Sequence, residues 1–213
     1  TAAGKIAMDA GQRLSFHPGP FNCLASPNDA TIAKTIAELN AHSLQMDLMG
    51  LPVSPQAKIN IHVGGAYGEH DNAMARFCKN YAKLDQSTQA RLTVENDDKA
   101  SMFSTKMLYH GVSKPTGIPI VFDSHHHELG PQDTDYHDAF YLARDTWQQR
   151  GVKQQCHHSN SKRNYEDPSV RANAHSDWYY TPFENYGEAV DVVLECKKKE
   201  QALLKYRKDF LSN

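Results

Sequence analysis

Six short segments rich in β-branched or apolar residues recur along the chain, and each carries a histidine or an acid at or beside its end. They are RLSFH (13–17), KINIHV (58–63), RLTVEN (91–96), PIVFD (119–123), KQQCHH (153–158) and DVVLEC (191–196), and the residues in question are His17, His62, Glu95, Asp123, His157 and Glu195. Successive members of this set stand 45, 33, 28, 34 and 38 positions apart, each step about one βα unit. Strands alternating with helices build an α/β fold on a parallel sheet with right-handed crossovers, either doubly wound or closed into a barrel. In either form the C-terminal strand ends lie on one face, so six residues distant in sequence are expected to meet. A single histidine or acid at a strand end is an ordinary capping residue; six out of six predict a shared site.

Helical patterns fill the gaps. From Ser26 to Gly50, Ser26 reads as the N-cap, Pro27 as the first helical residue, Ile32, Ile36, Leu39 and Leu48 as the apolar stripe, and Gly50 as the stop. A second helix is expected after Asp71, where Met74, Phe77, Cys78, Tyr81 and Leu84 keep the i, i+3, i+4, i+7 spacing. A third covers about 135–150 and a charged fourth roughly 199–211.

The 213 residues are expected to form one domain, 1–213, with 39% apolar and 23% charged residues and no run of about 18 apolar residues to span a membrane. A formal charge of only −2 means that any polyanion must be held by local patches or bound metals. Cys23, Cys78, Cys156 and Cys196 lie far apart without a CxxC pair, which argues against a zinc ribbon or a secreted disulfide framework. No signal or transit peptide is visible, so a cytoplasmic protein is expected, or a nuclear one in a eukaryote.

Imidazole and carboxylate ligands without thiolate favour zinc, manganese, iron or cobalt over calcium. With His126 and His175 the set reaches eight, more than one ion can use, so two or three ions are implied. Such a cluster suits phosphodiester hydrolysis.

Seven stretches, GQRLSFHPG (11–19), IHVGGAYGEH (61–70), VENDDK (94–99), VFDSHHHEL (121–129), HHSNSKR (157–163), ANAHSDW (172–178) and LECKKKEQAL (194–203), follow an order that resembles the UV damage endonuclease family, relatives of endonuclease IV. The resemblance implies a TIM (β/α) barrel of the xylose isomerase-like, endonuclease IV-like kind with a trinuclear divalent-metal site. Manganese is the first choice of ion, with zinc, magnesium or cobalt as alternatives. Carried onto matching positions, His17 and His62 would hold one ion, and Glu95 would bridge it to a second held by Asp123, His157 and Glu195. His126 and His175 would hold the third, and the first six residues form the expected catalytic set. The implied activity is nicking of double-stranded DNA immediately 5′ of cyclobutane pyrimidine dimers, (6-4) photoproducts and other distortions.

Two positions depart from the family pattern. Where most members place a Gln-Tyr wedge after H-P-G, this chain has Pro20-Phe21; phenylalanine can stack on bases, but proline cannot make a glutamine's hydrogen bonds. Gln155 stands two residues before His157, where some members carry a lysine, and is expected to act as a neutral hydrogen-bonding partner of the ligands.

Lys162, Arg163 and Arg171, in a polar loop, and Lys197 and Lys199, after Glu195, are candidate phosphate contacts. Gly64, Gly65, Tyr67 and Gly68 form a glycine-rich turn resembling a phosphate cradle, although not a nucleotide-binding P-loop, and Tyr67 joins Pro20 and Phe21 as a DNA contact. Adjacent side chains at a strand end diverge, so of the triplet after Asp123 only His126 is given a ligand role. His127 is expected to support the ligands or touch DNA, and His125 is given no role. His42, His70, His110 and His137 read as surface residues, and Trp147 and Trp178 as core or rim packing.

A closed barrel has eight strands and about 250 residues; with six strand-like segments here, the first two βα units are expected to be missing, by N-terminal truncation or in a divergent short form, and the full-length protein is expected to be a monomer. Two rivals remain. One is a single-ion sugar isomerase or epimerase using Glu95, Asp123, His157 and Glu195, against which His17, His62, His126 and His175 weigh. The other is a metal- or damage-binding relic without activity.

Overall fold

The computed structural model describes residues 1–211. Five of the apolar runs form strands: β1 (Ile59–Ile61), β2 (Leu92–Glu95), β3 (Ile120–Asp123), β4 (Gln155–His158) and β5 (Asp191–Leu194). They pair in sequence order, each parallel to the next, as part of a (β/α) barrel. The first four are buried along their whole length, as strands covered on both faces must be, whereas β5 is half-buried.

The helices are α1 (Ala2–Asp9), α2 (Asp29–Met49), α3 (His70–Tyr81), α4 (Gln86–Arg91), α5 (Thr105–Leu108), α6 (Lys114–Thr116), α7 (Ser124–Leu129), α8 (Tyr136–Gln148), α9 (Lys162–Tyr165) and α10 (Lys199–Tyr206). One apolar cluster joins Leu39, Phe77 and Phe140 from α2, α3 and α8 to Ile59, Val94 and Phe122 from the strands. A smaller one, containing Tyr179, Cys196, Ala202 and Tyr206, lies beneath α10. Trp147 is fully buried and donates its indole N–H to the Ile120 carbonyl at 2.7 Å, while Trp178 packs half-buried against the smaller cluster.

Local chemistry moves several boundaries away from expectation. The segment 13–17 contributes only one bridge, Phe16 to Ile59, rather than a strand. The long helix starts at Asp29 because Asn28, not Ser26, caps it: the Asn28 side chain accepts from the Thr31 N–H, and the Ser26 hydroxyl turns back to the Asn28 N–H. Its buried stripe is Ile32, Thr35, Leu39, Ser43 and Met46; Leu48 lies on the opposite side and is 64% exposed. His42 and His70 are half-buried rather than on the open surface, the first against the Phe16 ring at 4.6 Å and the second with Nε2 3.0 Å from the Ser101 carbonyl.

The sheet curls. Arg13, ahead of the Phe16 bridge, reaches Asp191 at the start of β5 with Nη1 2.9 Å from Oδ2, and its other nitrogens bind the Pro55 and Gln56 carbonyls. The two ends of the sheet are thereby tied at the N-terminal side of the strands, and the curvature brings His17 to within 5.8 Å of His157 between ring centres.

Candidate metal centre

Asp123 ends β3 and caps α7, its Oδ1 accepting the His126 N–H at 2.8 Å. The D-x-x-H spacing is therefore an N-capping turn that leaves Oδ2 free to face inward, 3.8 Å from His126 Nδ1. Asn96, one residue past β2, locks this turn: its amide binds both the N–H and the carbonyl of Asp123 at 2.9 Å, and its own carbonyl lies 3.0 Å from His126 Nδ1. Asp97 follows, with Oδ1 3.1 Å from His62 Nδ1 and Oδ2 accepting the Phe103 N–H at 3.2 Å.

Glu95 stands at the centre with no solvent exposure. Around its carboxylate lie His17 Nε2 at 3.4 Å, His126 Nδ1 at 3.1 Å and His157 Nδ1 at 3.2 Å, while the Asn60 amide donates to it. His157 Nδ1 is also 3.1 Å from Glu195, and His175 Nδ1 lies 4.0 Å from the same carboxylate. Two triads, His17–His62–Glu95 and Glu95–Asp123–His157, each bring ligand atoms within 4.8 Å of one another, and they share Glu95.

The atoms fit divalent cations. Glu95 Oε1, Asp123 Oδ2, His157 Nδ1 and His175 Nδ1 are buried without a hydrogen-bond partner, although charged neighbours approach some of them closely. Buried polar groups crowded this way are expensive, and a set of imidazole nitrogens and carboxylate oxygens converging on one another suits an ion with such ligands.

Electrostatics point the same way. Burial would raise the Glu95 carboxyl, but the charge of His157 and hydrogen bonds from His126, His157 and His17 hold it well below the usual range. Burial opposes protonation of His126 and His157, yet Asp123 and Glu95 lift the first to about 11, and Glu95 with Glu195 lifts the second to about 9.

Four supporting residues escaped the sequence reading: Lys58, Asn60, Asn96 and Asp97. Strand alternation in KINIH puts Lys58, Asn60 and His62 on one face, a signal available in principle; Asn96 and Asp97 become visible only in three dimensions. Lys58 is 1% exposed, with Nζ 3.2 Å from His157 Nε2, and burial lowers it to about 8 against the pull of Glu95 and Glu195. Gln155 is buried, and its Oε1 has no hydrogen-bond partner. His127 departs from expectation. It turns away from the centre to pack on Phe122 and edge-on against Tyr136, at 5.4 and 5.8 Å. The cause is that residues 124–129 are helical, so each step rotates the side chain by about 100°.

A cleft of about 450 Å³ opens beside the centre, lined by His17, Pro20, His62, Asp97, Lys99 and His126 among others. Phe21 is 91% and Tyr67 77% exposed. The glycine-rich turn is shaped by close approach: a Cβ on Gly65, whose φ is +61°, would sit 2.9 Å from the Ala25 carbonyl oxygen, and Arg76 clamps both the Ala25 and Gly65 carbonyls. Arg163, Arg171, Lys197 and Lys199 are exposed, but Lys162 is committed to its own loop through Asp177 at 3.1 Å and Glu166 at 3.7 Å.

A parallel (β/α) sheet whose strand ends converge on histidines and carboxylates, with Glu95 common to two ligand sets, defines a (β/α) barrel protein with a candidate metal centre at the C-terminal ends of its strands. Residues 1–212 match the UV-endonuclease UvdE family, and the chain belongs to that family. It is 34% identical over 211 residues to a UV DNA damage endonuclease of Bacillus pumilus (strain SAFR-032), covering 95% of this chain and 63% of that protein. It is 32% identical over 207 residues to a UV-damage endonuclease of Schizosaccharomyces pombe, covering 94% and 34%. The chain thus spans less than two thirds of these relatives' lengths. The crystal structure of SacUVDE superposes with a TM-score of 0.83 at 29% identity, covering all of this chain and 71% of that one. Endonuclease IV from Thermus thermophilus gives 0.68 at 16% identity, covering 99% and 79%, which speaks to the fold alone. No helix among the described residues is long and apolar enough to cross a membrane.

Proposed function

We propose that residues 1–213 act as one domain carrying the catalytic centre of a UV damage endonuclease, which hydrolyses the phosphodiester immediately 5′ of photoproducts and other distortions in double-stranded DNA. The observation that carries this reading is Glu95 shared by two ligand triads beside an open cleft lined by His17, Pro20 and His62; family membership and the relatives' names support it. His17, His62, Glu95, Asp123, His157 and Glu195 would hold a pair of divalent ions, manganese first, and His126 with His175 a third. Bound ions of this kind supply Lewis acidity and lower the pKa of water, the chemistry that phosphodiester hydrolysis needs.

The chain's own residues prepare that chemistry. Asp97 orients His62, Asn96 fixes the Asp123–His126 turn, and Lys58 holds the far nitrogen of His157. Phe21 is placed to stack on bases at a distorted step, and Arg163, Lys197 and Lys199 to meet phosphates. The epimerase alternative gains nothing from the structure beyond shared fold.

The test is manganese-dependent nicking of a duplex carrying one photoproduct, beside undamaged and abasic duplexes. Cleavage 5′ of the lesion, abolished by Glu95→Gln, is expected; a folded, metal-loaded chain that cuts none of the three refutes the proposal.

A further inference from the structure

The connection from β2 to α5, residues 96–104, is pinned more tightly than an exposed loop requires. Asp97 closes it on itself: its N–H donates to the Phe103 carbonyl at 2.9 Å and its Oδ2 accepts the Phe103 N–H at 3.2 Å. Phe103 has no solvent exposure and meets the His70 ring edge-on at 5.2 Å, while His70 Nε2 lies 3.0 Å from the Ser101 carbonyl. Asp98 accepts the side-chain amide of Asn173, 75 residues further along the chain, at 2.6 Å. Within the loop the Met102 N–H donates to the Lys99 carbonyl at 2.9 Å, so the backbone of Lys99 is held by bonds on both sides.

Lys99 is the only lysine or arginine among the residues that line the cleft beside His17, His62 and His126. It is exposed, and among the described residues its ammonium has neither an ion pair nor a hydrogen bond. Acids stand next to it in sequence but are turned to other partners: Asp97 to His62 and the Phe103 amide, Asp98 to Asn173. A cation on a rigid loop, with its neighbouring acids engaged elsewhere, leaves its charge to whatever enters the cleft. Pro18, Gly19 and Pro20 line the same cleft and run directly into Phe21, which is 91% exposed. A strand whose bases meet Phe21 therefore carries its phosphates toward Lys99.

We propose that Lys99 binds a backbone phosphate of the cleaved strand in this cleft and so seats the substrate beside the candidate metal centre. A compact ammonium with three donors suits a single non-bridging phosphate oxygen. The inference rests on the endonuclease reading, and its test separates the two.

Manganese-dependent nicking of a duplex with one photoproduct is followed over a range of salt concentrations for the native chain, Lys99→Gln and Lys99→Arg. Lys99→Gln is expected to raise KM about 10-fold or more, with kcat within about twofold, because a charged hydrogen bond made equally in ground and transition states is lost. The dependence of log KM on log salt should become shallower by about 1, one phosphate contact fewer, a change that a merely structural residue would not produce. Lys99→Arg should restore both, and metal content and melting should be the same in all three, since the side chain has no partner to lose. The contacted phosphate is then located with duplexes in which one phosphate of the cleaved strand at a time, the scissile one excepted, is a neutral methylphosphonate. At one position the native chain and Lys99→Gln should become equal, the sign of a direct pair. An unchanged KM and salt slope in Lys99→Gln, or a loss that persists on every methylphosphonate duplex, overturns the inference while leaving the endonuclease reading intact; a native chain that does not nick removes the reading beneath it.

Discussion

Asp97 offers a sharp test of how the centre is held. Its Oδ1 lies 3.1 Å from His62 Nδ1 and its Oδ2 accepts the Phe103 amide at 3.2 Å, with the residue 8% exposed. Both neighbours present N–H groups when His62 ligates through Nε2, so two acceptor oxygens are needed. In Asp97→Asn only one remains, and the NH2 must face either the imidazole or the Phe103 amide. Loss of a carboxylate behind a metal-bound histidine weakens binding by about 10–100-fold, or about 1.4–2.7 kcal/mol. Binding of the ion proposed for His17, His62 and Glu95 should weaken by that factor, measured by competition with a chromophoric chelator. Binding of the ion proposed for Asp123, His157 and Glu195 should change much less, since none of these residues contacts Asp97. Equal loss at all ions would indicate general unfolding, and thermal melting of the metal-free variant checks for it. An affinity within twofold of the native chain at every ion would refute the orienting role.

Metal-free chain should lose thermal stability as pH rises from about 6.5 to 8: folded His157 and His126 keep protons, with pKa values near 9 and 11, that unfolded histidines release above 6.5, so the native state binds more protons. Saturating metal should reverse the slope, because the ions need unprotonated ligands; a rising melting temperature without metal contradicts the argument. Trp147→Phe removes the N–H bond to the Ile120 carbonyl and should cost about 1–3 kcal/mol in urea unfolding. Phe21→Ala, at a 91% exposed site, should leave metal content and melting unchanged but weaken binding to a photoproduct duplex by about 1–3 kcal/mol, read by fluorescence anisotropy.

The convergence of His17, His62, Glu95, Asp123, His157 and Glu195 was legible in advance because parallel strands share one C-terminal face, so spacing alone maps onto proximity. Helix interiors were legible for a similar reason, as the 3.6-residue period shows in Met74, Phe77 and Tyr81. Ends were harder. Ser26 and Asn28 are both good caps, and which one wins depends on how the preceding loop packs, not on either residue's chemistry. The first strand-like run shrank to a single bridge because pairing needs a partner as well as propensity.

The histidine triplet shows where pattern stops. A run ending in Asp123 reads as a strand, and the divergence of adjacent side chains at a strand end allowed only one of the triplet, His126, a ligand role. Asp123 instead caps a helix, so Ser124 onward follow a helical period: His126 comes to face Glu95, His127 turns to the apolar side against Tyr136, and His125 lands beside His175. Residue types and their spacing sufficed for the fold class, the ligand chemistry and the family. Which nitrogen faces which carboxylate, and the supporting parts played by Lys58, Asn96 and Asp97, depend on contacts between distant segments, which no local period encodes.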